Sequence, residues 1–162
     1  LLVLGDAARM AGRLDDAANA YRIVLEAEPA NRAAVVALAR TEIAQGQAEA
    51  GLARFDAYFA MNPGDREMRH ALAQTGADMG RSDITRKAYE AALDFDAEDA
   101  TAHQGLALLD EAEGRYESAE AHADRALAAA GRDDLGQASL VKSRAEFRRG
   151  DYHAAARRLG EM

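Results

Sequence analysis

The stretch GRLDDAANAYRIVLEAEPAN, Gly12 to Asn31, decides how the rest of the chain is read. Thirty-four residues later stands GQAEAGLARFDAYFAMNPGD, Gly46 to Asp65, with glycine, a small residue, an aromatic and proline at the same separations. Outward from this pair, Gly80 and Gly114 keep the interval of 34, and Gly150 follows after 36. Eight residues before the glycines stand Leu4, Leu38, Leu72 and Leu106, followed by small residues Gly5, Ala39, Ala73 and Ala107. Five after come Ala17, Gly51, Thr85, Ala119 and Ala155; nine after come Tyr21, Phe55, Tyr89, Ala123 and Leu159. Thirteen after come Leu25, Phe59, Leu93 and Leu127, and seventeen after come Pro29, Pro63, Ala97 and Gly131.

These separations put apolar residues on one face of each of two helices per period. The glycine ends the first helix, because a left-handed residue is cheap only without a Cβ. Acidic or hydroxyl residues then gather where the second helix begins: Asp15 and Asp16, Glu49, Ser82 and Asp83, Glu117, Asp151. They suit the positive end of the helix dipole, and Ser82 is expected to cap its helix. Pro29 and Pro63 end second helices, since proline cannot continue the hydrogen-bond ladder. Gly76, inside a first helix, costs about 1 kcal/mol relative to alanine and marks the third period as the weak one.

The pattern resembles the tetratricopeptide repeat (TPR) family, whose 34-residue helix–turn–helix unit carries Leu-small, Gly, Ala, aromatic and Pro at these places. The resemblance covers essentially the whole chain. It implies an all-α fold, a right-handed superhelical α-solenoid of about 9–10 helices. The expected units are 1–31, 32–65, 66–99, 100–133 and an irregular 134–162. There are departures. The tryptophan-like slot holds Leu1, Val35, Arg69 and His103, and the tyrosine slot four before the glycine holds Ala8, Glu42, Gly76 and Asp110. The two extra residues of the last unit are absorbed either in GRDDLG, 131–136, or in the turn near Arg149. Leu1 falls inside a first helix and Met162 inside a last one, so further repeats or another domain are expected to flank the chain in a longer parent.

Composition agrees with a helical, folded protein: 49% hydrophobic residues, rich in alanine, with two prolines and 6% aromatics. The Ala-, Arg-, Gly- and Asp-rich composition suggests a bacterial source. No apolar run reaches the length of a membrane span. Without cysteine, thiol catalysis, disulfides and cysteine-bound zinc are excluded. Cytoplasmic and periplasmic addresses both stay open. The net charge is −8; residues 135–162 carry six Lys/Arg against three Asp/Glu, or +3, which leaves −11 elsewhere. An acidic body argues against nucleic acid.

In the family, the first helix of each pair lines a concave groove that holds a peptide or helix of a partner protein. The resemblance places Leu2, Asp6 and Arg9 there, then Val36, Arg40 and Ile43, then His70, Gln74 and Ala77. Gln104, Leu108 and Glu111 follow from the fourth unit, and Leu140, Arg144 and Phe147 from the fifth. Apolar contacts mixed with arginine suit a segment with apolar anchors and an acidic group near Arg40. The plain alternative is a solvated surface. The two-carboxylate clamp for chaperone tails is not expected: its lysine and asparagine places hold Leu2 and Asp6, Ala37, then Glu67 and Ala71, and no shifted frame restores it.

Nothing in the sequence argues for catalysis, a cofactor or a metal. The histidines at 70, 103, 122 and 153 do not pair at i, i+4; His103 takes a bulky packing slot, and His122 and His153 read as surface residues. DFDAED, 94–99, reads as an acidic turn between units, because the glycine and glutamate of a calcium loop are missing. SLVK, 139–142, lacks the companion motifs of penicillin-recognising enzymes. The chain is expected to be a non-enzymatic scaffold for a protein or peptide partner. The alternative is a structural or self-associating segment, a homo-oligomer or part of a larger catalytic or envelope-assembly protein.

Overall fold

A computed structural model describes residues 1–129 and 135–160, except for the side chain of Leu135. Ten helices follow one another: α1 (Leu2–Met10), α2 (Leu14–Ala27), α3 (Arg32–Ala44), α4 (Ala48–Met61), α5 (Arg66–Asp78), α6 (Ser82–Leu93), α7 (Ala100–Ala112), α8 (Tyr116–Ala129), α9 (Leu135–Arg148) and α10 (Tyr152–Gly160). No strand occurs among the described residues. The chain forms two compact units, Leu1–Thr75 and Gly76–Met162.

Each odd helix ends at the glycine of its period. Gly12, Gly46, Gly80, Gly114 and Gly150 have φ between 68° and 90°, a region closed to most side chains. The residue after each glycine donates its N–H to the carbonyl five positions back, as in Gln47 to Glu42 at 2.8 Å and Arg115 to Asp110 at 2.8 Å. These are Schellman turns. The turn at Gly150 has the same bonds, with Asp151 N–H on the Glu146 carbonyl at 2.9 Å. The turn near Arg149 is therefore regular. GRDDLG itself, like Gly131 and Met162, lies wholly or partly outside the described residues.

In the first unit, Tyr21 and Leu38 close one apolar cluster with Ala8, Ala17 and Ala18. Val35, Ala39, Phe55, Tyr58 and Met68 close a second. In the second unit, Ala107, Ala119, Ala123, Val141 and Ala145 pack together. Alanine suffices because backbones approach closely. A Cβ on Gly105 would lie 2.2 Å from the Tyr89 ring, and one on Gly76 would lie 2.9 Å from Thr85 Oγ1.

Two local expectations are corrected. Leu4 is 66% exposed where Leu38 is fully buried: Leu38 packs with Ala17, Ala18 and Tyr21 of α2, and Leu4 has no such cover among the described residues. Ser82 does not cap α6: it is the first helical residue, and the N-cap is Arg81, which makes no side-chain cap bond. Side-chain caps occur on other helices: Ala34 N–H donates to Asn31 Oδ1, Ala102 N–H to Asp99 Oδ1 and Ala154 N–H to Asp151 Oδ1, each at 3.0 Å. Asp99 belongs to the acidic turn, which thus starts α7.

Gly51 gives a stability test. Helix propensity favours Gly51→Ala by about 1 kcal/mol. The new Cβ, however, would stand 2.6 Å from the Ala39 carbonyl oxygen and 2.8 Å from Ile43 Cγ1. Backbone cannot step aside as a side-chain tip can, so packing wins. Net destabilisation of about 1–3 kcal/mol is expected in urea unfolding. Gly136→Ala, with no atom within 4 Å of the new Cβ, serves as the control.

Candidate partner-binding surfaces

Two open clefts contain most of the expected groove residues. The first, of about 380 Å³, lies in the first unit and is walled by α1, α3 and α5. Asp6, Arg9, Val36 and Arg40 line it, joined by Arg32, Ala33, Ala37, Glu67, Met68 and Ala71. The second, of about 340 Å³, lies in the second unit and brings together Glu111, Leu140, Arg144 and Phe147 with Arg148 and Leu159. The remaining expected residues do not line these clefts. Leu2 packs against the Tyr21 cluster, and Leu108 against the Ala107 cluster. Ile43 lies against Gly51 on α4. His70 and Gln104 are half-buried, and Gln74 and Ala77 are exposed.

The first cleft has fixed charges on its wall. Arg32 Nε lies 2.6 Å from Asp65 Oδ2, and its Nη1 pairs with Glu67. The Tyr58 hydroxyl donates to the same Asp65 oxygen at 2.6 Å, while Met68 N–H donates to Oδ1 at 3.2 Å. Burial raises the Asp65 carboxyl, but the Tyr58, Met68 and Arg32 donors together hold it below the ordinary range. One carboxylate thus caps α5 and orients an arginine at the cleft wall. Asp6 is also engaged, accepting from the buried Tyr21 hydroxyl at 2.7 Å. In the second cleft, Arg144 lies 3.5 Å from Glu111, and Phe147 meets Tyr152 edge-on at 5.1 Å.

Sequence reasoning missed a set of buried ionic contacts. Glu42 is only 1% exposed, yet Arg54 reaches both its oxygens at 2.8 and 3.0 Å and Arg22 reaches one at 3.1 Å. Burial raises the Glu42 carboxyl, but the bonds from Arg54 and Arg22 outweigh it and hold the group below its ordinary value. Asp110 is fully buried between Arg86 at 2.5 Å and Arg115 at 2.8 Å. Glu146 pairs with Arg158 at 2.9 Å. The signal was present: an acid four before the glycine in three periods, with arginine or histidine twelve further on. His103 is buried, in keeping with its packing slot, but His122 is not a plain surface residue. It is half-buried, with Nδ1 3.0 Å from His103 Nδ1. His153 is exposed.

Residues 8–75 match the family profile described as Tetratricopeptide repeat. Beyond the matched segment, the glycine turns and helix pairs recur through α10. Residues 8–75 are a tetratricopeptide repeat segment, and the rest of the chain continues the same helix-pair fold. Solved structures agree in fold. A crystal structure of MamA is 19% identical with a TM-score of 0.73, covering 98% of this chain and 86% of that one. A thermophilic TPR protein of Thermus thermophilus is 20% identical with a TM-score of 0.61, covering 99% and 87%. YrrB, described as a TPR protein with an unusual peptide-binding site, is 11% identical with a TM-score of 0.65, covering 98% and 81%. No curated protein sequence matches. The TPR fold is generally a non-catalytic scaffold for protein interaction. Among the described residues, no helix is long and apolar enough to cross a membrane, and no group of three or more His, Asp or Glu is arranged to hold a metal ion.

The buried carboxylate of Glu42, inside the matched segment, yields a pH-linked test. Glu42→Ala leaves Arg22 and Arg54 without their shared partner, but both arginines are about two-fifths exposed and regain water. The expected loss is therefore about 1–3 kcal/mol, below that of a fully buried pair. Because the folded carboxyl lies below its ordinary 4.5, its stabilising effect is complete above that pH and disappears as pH falls through the folded value. Urea midpoints of the two proteins should therefore converge between neutral pH and strong acid.

Proposed function

We propose that the protein is a non-enzymatic scaffold and that the first-unit cleft holds a segment of a partner protein. The observation that carries this reading is the cleft's composition. Val36, Met68 and Ala71 supply apolar floor, and Arg9 and Arg40 supply charge, from three successive odd helices. A matching segment has an apolar anchor with an acidic group beside Arg40, where a guanidinium offers its two-pronged donor face. The peptide-binding site ascribed to YrrB supports the class of ligand. His70 and Gln74, which do not line the cleft, contribute less than Val36 and Arg40.

The test is capture from a cell lysate with the full chain and with a Val36→Asp, Arg40→Glu variant, followed by titration calorimetry of the captured protein's binding segment. A cleft ligand should bind the variant at least about tenfold more weakly, the equivalent of about 1.4 kcal/mol. Equal affinity would move binding away from the cleft.

A second reading, self-association, is favoured by the exposure of positions that are buried elsewhere in the repeat. Leu159 is 54% exposed, while Tyr21 and Phe55, at the same place after their glycines, are fully buried. Leu4 is the counterpart on α1. A second copy could cover α10 with its α1, repeating the contact that α2 makes with Leu38. Light scattering should then show mass rising with concentration, and Leu4→Asp or Leu159→Asp should abolish the rise. A monomer at every concentration would dismiss it.

A further inference from the structure

The repeat holds a covariation across its turn. Four before the glycines stand Ala8, Glu42, Gly76, Asp110 and Glu146; eight after stand Ala20, Arg54, Ala88, His122 and Arg158. Where the first residue is small, the second is alanine; where the first is acidic, the second is basic. The Schellman turn brings the two places together from the paired helices. Glu42 meets Arg54 at 2.8 Å and Glu146 meets Arg158 at 2.9 Å, and both are permanent ion pairs. Only α7 and α8 carry a titratable base at this place. His122 Nε2 lies 3.9 Å from Asp110 Oδ2, too far for a hydrogen bond.

The surrounding atoms determine which nitrogens carry hydrogen. The Ala97 carbonyl, 2.9 Å from His103 Nε2, can only accept, so His103 Nε2 carries a hydrogen. In neutral His103, Nδ1 is then the acceptor. His122 Nδ1, 3.0 Å away, must be the donor. The one ring nitrogen left with an open lone pair is His122 Nε2, which faces Asp110. Both arginine partners of Asp110 bind Oδ1, and Oδ2 receives no hydrogen bond among the described residues.

We propose that His122 is a proton-operated joint between α7 and α8, open toward Asp110 while the imidazole is neutral and closed onto Asp110 Oδ2 when Nε2 takes up a proton. Charged groups surround it on every side. Arg86 of α6 and Arg115 of the turn hold Asp110, and Glu113 lies against both arginines. His103 and Asp110 face it from α7, and Arg125 acts from α8 itself. On α9, Lys142 is paired with Asp124, and in the turn after it Arg149 is paired with Glu120. Burial is the strongest influence and lowers the affinity of His122 for a proton; Asp110 opposes it, and His103, Arg125 and Arg86 add to it. The folded value lies below the ordinary 6.5. Neutral His122 therefore contributes stability that is complete above that pH and is lost as pH falls through the folded value. Acidification loosens the second unit, although the local pair closes, because the unfolded chain accepts the proton more readily.

Imidazole-nitrogen NMR of the full chain, labelled with 15N at histidine, tests the assignment directly. The expected spectrum at pH 7.5 shows His103 with hydrogen on Nε2 and His122 in the less common form with hydrogen on Nδ1. On acidification, His122 should gain its proton at Nε2, with a midpoint below 6.5. His122 found with hydrogen on Nε2 at pH 7.5, or a proton entering at His103 first, would overturn the proposal. Hydrogen exchange corrected for intrinsic rates gives a second readout. Protection of α7 and α8 should fall between pH 7.5 and 5.5 by at most about tenfold, the ceiling for one imidazole at one pH unit below its ordinary pKa. His122→Arg installs the permanent cation of the other two pairs and should show a smaller fall. An equal fall in both proteins would count against the joint.

Discussion

One backbone hydrogen bond organises the chain: the bond from the residue after each glycine to the carbonyl five places earlier. It runs from Arg13 to Ala8, Gln47 to Glu42, Arg81 to Gly76, Arg115 to Asp110 and Asp151 to Glu146, at 2.8–2.9 Å. It requires a left-handed residue between the helices, which is why glycine recurs. By holding the exit angle constant, it makes positions on the two helices correspond from one period to the next. The residue whose carbonyl accepts this bond also directs its side chain between the helices. The same place is therefore filled by a small residue in two periods and by a carboxylate in three.

Those carboxylates take the place where the family resemblance leads one to look for an aromatic. A buried carboxylate is costly unless its charge and lone pairs are satisfied. The satisfaction comes from arginines whose guanidinium groups reach the carboxylate while their side chains stay partly exposed. Arg22 and Arg54 do this for Glu42, and Arg86 and Arg115 for Asp110. Between the charges the core is largely alanine, so helices approach closely and specificity comes from ionic geometry as much as from shape. This explains how a chain with 6% aromatics keeps defined helix pairs. It also explains why His122 matters: it stands where the other two pairs have a cation that never titrates.

The fold was legible because its signals are local. Glycine at 34-residue intervals, leucine on one helix face and proline after α2 and α4 are each read without knowing what packs where. What failed to show depended on neighbours. Leu4 matches Leu38 in sequence but lacks a covering helix. Gly76 reads as a helix weakness, and the sequence does not show that its missing Cβ also admits Thr85 of α6. Ser82 has the right chemistry for a cap but stands one residue too late. The Glu42, Asp110 and Glu146 pairs were missed because the slot was read as an absent aromatic, and its acid was not matched with the base twelve residues on. Of the expected groove residues, Asp6, Arg9, Val36 and Arg40 meet in one cleft, while Leu2 and Ile43 turn toward packing partners. A period of 34 residues fixes which helix a residue belongs to more firmly than the direction its side chain takes.

The first-unit cleft is built on the same pairing of charges. Its Arg32 is held by Asp65 and Glu67, and Asp65 is held by the Tyr58 hydroxyl and the Met68 N–H that begins α5. Tyr58 belongs to the buried cluster with Phe55 and Met68, and Met68 also lines the cleft. The charged wall and the apolar floor are therefore parts of one packed structure, anchored at a helix cap. A surface built this way has little conformational entropy left to lose, because its arginine is already placed. This is the consequence of placing charge inside the fold: the groups that hold the helices together also hold the wall of the cleft in position.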